Sequence, residues 1–346
     1  MPSMTGEFFP ADSKPQAQKQ GESVYHVRSD LVGKTLAAAL RVWQSQLSWS
    51  KAKQIIESGR VLVNGAVCRD PARRLLPTDV VKILTKPVCA KRPKPNIVIR
   101  HLDSQVVVIE KPPGINAVRH PEEERVYEPT VAELLPRLLA EHEGRATRGT
   151  LPPVRPVHRL DRDTSGLMVF ARTVEAERKL GMQFRKHSIH RVYLAIAHGL
   201  VQPRTIVSRL VRDRGDGRRG STTLPRVGKL AITHVKPLEY LGDYTLVECR
   251  LETGRTHQIR IHLAELGHPL CGETVYNKPL FGEPIPDRSG APRLALHAAE
   301  LGFTHPTRDV WLSFRSELPS DLMRFLEKLR SRSGNQDARS HRSPPK

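Results

Sequence analysis

His158-Arg159-Leu160-Asp161-Arg162-Asp163-Thr164-Ser165-Gly166 runs directly into the apolar stretch Leu167-Met168-Val169-Phe170. The first nine residues are charged and turn-prone, whereas the next four have the composition of a buried strand. An acidic loop is thus anchored at one end by a rigid hydrophobic element, with Asp161 set between Arg159 and Arg162. An aspartate of ordinary pKa, about 3.9, is ionised at neutral pH, and neighbouring guanidinium groups keep it so while drawing an anion toward it. Asp163-Thr164-Ser165-Gly166 alone would pass for a plain turn entering a strand. The charged prelude makes the whole run read as a site.

The chain around it is strongly basic. Its 346 residues carry 56 Lys+Arg against 36 Asp+Glu, a formal net charge of +20. Such a charge attracts phosphate backbones through counterion release, which supplies affinity without specificity. A cationic surface kept only for solubility is the plainer reading, but basic residues recur beside every motif described below. The length allows one large or two moderate cores at roughly 100–200 residues per domain. Cys68, Cys89, Cys249 and Cys271 form no CxxC pair and have no histidine at ligand spacing, so neither a metal site nor a disulfide framework is expected. A reducing cytoplasm fits that pattern. The chain shows neither a leader pattern nor an apolar run of about 18 residues, so no membrane partner is expected.

Residues 1–24 are polar, and residues 331–346 are rich in Arg, Ser and Pro; both are expected to be disordered. Between 25 and 85 the pattern predicts two short helices and a small sheet. Leu36, Ala39 and Leu40 repeat at helical spacing, Ser48 caps a second helix stopped by Gly59, and Asn64-Gly65 turns a hairpin. A Pro- and Lys-rich linker at 86–96 then leads into a larger domain at 97–330. There strands outnumber helices. They are expected at 97–110 with a turn at Asp103-Ser104, at Leu167–Ala171, Tyr193–Ala197, Thr245–Leu251 and Val310–Phe314, and helices at Val131–Glu143 and Thr173–Lys186. No regular strand–helix alternation suggests a doubly wound sheet. The fold class is therefore α+β: a mainly antiparallel, extended sheet flanked by helices and loops, behind a small N-terminal α/β domain. The Arg-rich stretch Arg209–Arg226 reads as a mobile, RNA-facing loop, with an unstructured surface insertion as the competing reading.

HRLDRDTSG resembles the signature of the RluA family of RNA pseudouridine synthases, and three further strings agree with that family in order. These are EKPPGINAVRHP, with Glu110 where the family usually has Asn; FRKHSIHRVYLAIAHG, with Arg191 replacing a more usual lysine; and ETGRTHQIRIHLAELGHPLCGETVY, followed by RLALHA. In the smaller domain, SWSKAKQIIESGRVLVNGAVCRD resembles the S4 RNA-binding domain, with Trp49 where a basic residue is common. The resemblance implies that Asp161 is the catalytic residue, that Tyr193 is the active-site tyrosine and that Arg260 pairs with Asp161. It also implies RNA contacts by Arg159 and by basic residues of the same strings, Lys111, Arg162, Arg191 and Arg255, with Lys51, Lys53 and Arg60 contacting phosphates from the smaller domain.

The residue types suit the implied chemistry. Pseudouridine formation breaks an N-glycosidic bond, turns the uracil and rejoins it through carbon, which needs no metal or redox cofactor. It needs an anionic side chain, supplied by Asp161, and a partner that keeps it anionic when a base covers it. An arginine fork fits a carboxylate with two hydrogen bonds, and the alternation Gln258, Arg260, His262 against Ile259, Ile261, Leu263 predicts a strand presenting Arg260 to the site. A tyrosine stacks on a pyrimidine, and the target base must leave its own stack to reach the carboxylate. His158, His257 and His262 are taken as structural or RNA-facing. The expected partner is structured RNA, ribosomal in the first instance with transfer RNA as the alternative, and the expected state is a monomer. A silent RNA-binding or ribosome-assembly protein and an RNA N-glycosylase are the competing readings; the first forms no pseudouridine and the second releases free uracil.

Overall fold

Asn64 and Gly65 both take left-handed backbone, with φ of 52° and 81°, so Val61–Val63 folds back on Ala66–Val67 in a two-residue turn. The computed structural model describes residues 23–85, 95–119, 129–147, 149–280 and 283–340. Residues 1–22, most of the stretch read as a linker (86–94) and residues 341–346 lie outside the described residues. The chain forms two compact units.

In the N-terminal unit, β1 (Ser23–His26) precedes α1 (Leu36–Trp43) and α2 (Trp49–Glu57), followed by β2 (Val61–Val63), β3 (Ala66–Val67) and β4 (Val80–Ile83). The strands make a four-stranded sheet in the order β1-β4-β2-β3. Thr35 and Ser48 cap the two helices by accepting from Ala38 N and Lys51 N. Leu36, Leu40, Ala52 and Ile56 are fully buried with Val61 and Val81 in one core. Lys51 and Lys53 are exposed on α2, as an RNA-facing helix needs. Arg60 is less available, because its Nε donates to the Leu84 carbonyl at 2.8 Å. Trp49 is half-exposed, and the Arg41 guanidinium sits 4.6 Å from its ring centre.

The second unit is built on an eleven-stranded sheet. Its elements are β5 (Val98–Leu102), β6 (Val106–Lys111), α3 (Val131–His142), β7 (Arg155–Pro156), β8 (Ser165–Ala171), α4 (Val174–Arg185), β9 (His190–His198), β10 (Arg204–Val211), β11 (Gly220–Thr222), β12 (Lys229–Leu241), β13 (Tyr244–Leu251), α5 (Gln258–Glu265), β14 (Leu296–Thr304), β15 (Trp311–Arg315) and α6 (Ser320–Ser340). The main order is β11-β10-β12-β13-β9-β14-β8-β6-β5, with β15 beside β14 and β7 beside β8. Neighbours pair antiparallel except β14 with β8. The mainly antiparallel α+β class is thus observed.

β8 and β6 are continuous apolar runs because both faces of the sheet are covered there. Leu167, Val169, Val106 and Val108 pack with Ala176 and Leu180 of α4, while Met168, Phe170, Val107 and Ile109 face Leu135 and Leu139 of α3. Leu322, Phe325 and Leu329 of α6 close on Ile196, Leu241 and Leu246.

Gly166 explains the end of the opening motif. It has φ +116°, and a Cβ there would lie 2.3 Å from the Ala298 carbonyl oxygen on the parallel neighbour β14. Gly166→Ala therefore adds backbone strain of about 1–3 kcal/mol to overpacking of about 1–3 kcal/mol. A lowered urea midpoint with unchanged slope is the expected result, and an unchanged midpoint would show that β8 and β14 can separate freely.

Four expectations are corrected. Residues 258–265 form a helix, not a strand: the short alternation satisfied both periods, and this helix is buried on nearly every side, so its polar residues mark buried hydrogen bonds rather than a solvent face. Gln258 bonds Ile232 O and Thr233 Oγ1, and His262 lies between Thr233 and Ser208. The Arg209–Arg226 stretch is a folded hairpin in which β11 pairs with β10 and the Asp213 carboxylate accepts from Gly215 N and Gly217 N. Finally, α6 continues to Ser340, well into the segment read as an unstructured tail. The N-terminal tail also ends earlier than expected, since β1 begins at Ser23.

Candidate active site

The loop between β7 and β8 carries Asp161 in a tight turn, in which Thr164 N donates to the Asp161 carbonyl at 3.2 Å. Two clamps hold it. Gly114 N donates to Arg162 O and Arg162 Nε returns a bond to Gly114 O, which joins the Lys-Pro-Pro-Gly bend after β6 to the acidic loop. On the other side Arg293 donates to Ser165 Oγ at 3.1 Å and is held by Asp321 at the start of α6. Ser165 and Ser316 bracket His297 of β14 through its two ring nitrogens.

Lys111 is the third clamp, and this corrects its expected role. It is 1% exposed and cannot reach phosphate. Its ammonium donates to the carbonyls of Pro112, Ile115 and Arg162 at 2.8, 2.9 and 2.9 Å, so it ties the two loops together from inside. Burial pulls its pKa from 10.5 to about 7, against the raising effect of Asp163 and Asp161. The unfolded chain therefore binds this proton across a pH range in which the folded chain releases it, and the stability attributable to Lys111 rises between about pH 7 and 10.5. The difference in unfolding free energy between wild type and Lys111→Met is expected to climb in favour of wild type from pH 7 to 9.5. A flat difference would mean that the amine stays charged throughout.

Asp161 opens onto a cavity of about 460 Å³ lined by His158, Arg159, Thr164, Arg191, Tyr193 and Arg260, among others. Arg260, in the first turn of α5, places Nη1 3.5 Å from Asp161 Oδ2. The predicted two-pronged fork exists, but its target is Glu273: Nε and Nη2 bond the Glu273 carboxylate at 2.7 Å each. Glu273 has a side-chain exposure of 1%, and its Oε1 also accepts from Val275 N and Tyr276 N. Burial disfavours the Glu273 charge, yet the hydrogen bonds and charge of Arg260, together with the Val275 and Tyr276 amides, outweigh it and hold its pKa low; the same pairing raises Arg260 against its own burial. The Tyr276 ring centre lies 5.2 Å from the Arg260 guanidinium. Asp161 therefore meets a cation whose position is set by another carboxylate.

His257 also belongs here. It has φ 58°, its Nδ1 is 2.7 Å from Tyr276 Oη, and its Nε2 is 3.7 Å from Asp161 Oδ1. Burial lowers its pKa, opposed by Asp161 and assisted by Arg260. Neither Glu273 and Tyr276, buried in the string ETVY, nor this arrangement of His257 announced itself in the sequence; the spacing of 13 residues between Arg260 and Glu273 has no helical or strand meaning.

Tyr193 is buried on β9, and burial raises its pKa, so the hydroxyl keeps its proton at neutral pH. Arg191, expected to contact RNA from the surface, is 6% exposed; it lies over the Phe184 ring and donates to Glu252 O. His158 is structural as expected: burial and Arg191 push its pKa down to about 3, so the neutral ring accepts from Val169 N at 3.0 Å. Arg159 and Arg162 are exposed and Arg255 is partly so. Thr164 Oγ1 and Arg191 Nε are buried beneath the cavity and have no hydrogen-bond partner among the described residues.

The sequence profile of RNA pseudouridylate synthases matches residues 105–265, and that of the S4 domain matches residues 45–81. The ribosomal large subunit pseudouridine synthase D of Neisseria meningitidis serogroup A is 35% identical over 314 residues, 88% of this chain and 81% of that one. The uncharacterized RNA pseudouridine synthase YlyB of Bacillus subtilis is 33% identical over 318 residues, 88% of this chain and 95% of its own. Human RNA pseudouridylate synthase domain containing 4 shares the fold, with TM-score 0.54 and 24% identity, covering 67% of this chain and 93% of that one. With a relative of this identity spanning both units, the chain belongs to the RluA family of RNA pseudouridine synthases and carries an N-terminal S4 domain.

Proposed function

We propose that this isomerase acts on structured RNA of the large ribosomal subunit and that Asp161 is the group acting on the target nucleotide, in the cytoplasm and as a monomer. The pairing of Asp161 with Arg260 at the mouth of a nucleotide-sized cavity carries the catalytic reading. The ribosomal reading is supported by the names of the relatives and by the second RNA-binding module. Uridine and pseudouridine are isomers. The N1–C1′ bond breaks, the C5–C1′ bond forms, C5 gives up its hydrogen and N1 gains one, so nothing is oxidised or reduced.

Each residue has a part in holding the two halves of the nucleotide. Arg260, fixed by Glu273, steadies the Asp161 carboxylate as the base displaces water above it. Tyr193 stacks on the everted uracil and offers a protonated hydroxyl. Arg159, exposed two residues before the acid, enters the stack the base has left. The test is to map pseudouridines in ribosomal and transfer RNA from cells with and without this protein. Loss of a large-subunit position is expected; loss confined to transfer RNA would overturn the substrate assignment.

A further inference from the structure

Next to the base cavity lies a second cleft of about 530 Å³, walled by Arg159, Arg212, Arg219, Lys229 and Arg255 and by the backbone of Gly228 and Gly254. The two cavities share Arg159, Gly254, Arg255 and Thr256. Among the described residues, no carboxylate lines this second space.

Several arginines elsewhere in the molecule are paired. Arg73, Arg119, Arg155, Arg172, Arg293 and Arg330 each meet a carboxylate within hydrogen-bond distance. Within the same hairpin, Arg214 pairs with Asp216 and Arg218 donates to the Val275 carbonyl. The side chains of Arg159, Arg212 and Lys229 have neither an ion pair nor a hydrogen bond among the described residues. That of Arg219 has none either, and its charge lowers the pKa of both His257 and Tyr276 of the active site. Only Arg255 is tethered, through Nε to the Leu230 carbonyl at 2.9 Å, which leaves its terminal nitrogens for another ligand. Five cations converging without a counter-charge repel one another, and a bound anion relieves that repulsion.

We infer that this cleft is a subsite for the ribose-phosphate backbone adjoining the flipped uridine, gripping one or two phosphates with Arg212, Arg219, Lys229 and Arg255 while the base occupies the neighbouring cavity. The shared wall requires continuity: a chain that leaves the first cavity passes Arg159 and Arg255 and enters the second. The β10–β11 hairpin that supplies Arg212 and Arg219 is braced by the Asp213 turn and by Ser221 against Glu265 of α5, so the cations are presented by a folded element. Phosphate contacts set register without reading sequence. The cleft therefore positions the nucleotide and does not select it. The inference rests on the reading of Asp161 only for where the uridine lies.

The test uses the full chain, a fluorescent single-stranded uridine-containing oligoribonucleotide, and the double variant Arg212→Gln/Lys229→Gln. For single strands, each phosphate that is no longer neutralised should flatten the slope of log affinity against log salt by about 0.7. A slope reduced by that amount or more is expected, together with a KM for RNA conversion raised about tenfold, the ratio that about 1.4 kcal/mol of weaker binding produces. Wild-type slope and KM in the double variant would overturn the subsite. So would equal competition by polyglutamate of matched charge, which would assign the cleft to an acidic protein. If the double variant loses its near-UV circular dichroism, Arg212→Glu alone, at an exposed side chain, gives the same readings. Binding to an arbitrary oligonucleotide does not depend on the ribosomal assignment, so failure of that assignment and failure of the subsite are separately visible.

Discussion

Asp161→Asn is expected to lower pseudouridine formation by three orders of magnitude or more, a barrier increase of about 4 kcal/mol, while RNA affinity stays within a few-fold of wild type. The substitution keeps shape and removes charge. Arg260 does not collapse, because both prongs of its fork are held by Glu273, and the acidic loop stays clamped by Lys111, Arg162 and Arg293. What disappears is the anion at the rim of the base cavity. Because C5 surrenders its hydrogen during the rearrangement, release of tritium from RNA containing 5-tritiated uridine counts turnovers directly. Unchanged melting temperature and binding, with release near background, is the expected set of results. Full turnover would remove Asp161 from the mechanism.

The second large effect is on stability as well as on activity. Arg260 and Asp161 have side-chain exposures of 11% and 15%, and Glu273 of 1%. Arg260→Met would leave a buried carboxylate with no cation, which costs about 3–5 kcal/mol. For a domain of some 150–250 residues each kcal/mol moves the melting temperature by about 2–4 °C, so a drop on the order of 10 °C is expected. Arg260→Met/Glu273→Gln removes the orphaned charge while keeping Oε1 as an acceptor for Val275 N and Tyr276 N. Most of the missing stability should return and the activity should not, since Asp161 still lacks its cation. Recovery of turnover in the double variant would show that Arg260 serves the fold and not the reaction.

Much of the architecture was legible because it is written in local patterns. Asn64-Gly65 specifies a hairpin, Ser48, Thr173 and Gly59 mark helix ends, and the apolar runs of β6 and β8 announce strands covered on both sides. The misreadings share one cause. Gln258–Glu265 is buried all round, so its polar residues obey the demands of Ile232, Thr233 and Ser208 rather than a solvent period. Lys111 carries a charge in a motif of a basic protein, yet three carbonyls 1, 4 and 51 residues away in the chain turn it inward. Arg191 is likewise drawn under the cavity by Phe184 and Glu252.

The sequence by itself determined the identity of the acidic loop, the α+β class, the RNA-binding module and the basic character that draws a polyanion. Each of these follows from contiguous residues or from bulk composition. Only the tertiary structure decided that Arg260 answers first to Glu273, that His257 and Tyr276 stand beside Asp161, and that four unpaired cations meet in a cleft beyond it. Electrostatic partners are chosen by distance through space, and here the sheet and the helix packed on it bring together groups separated by 13 to 99 residues of chain.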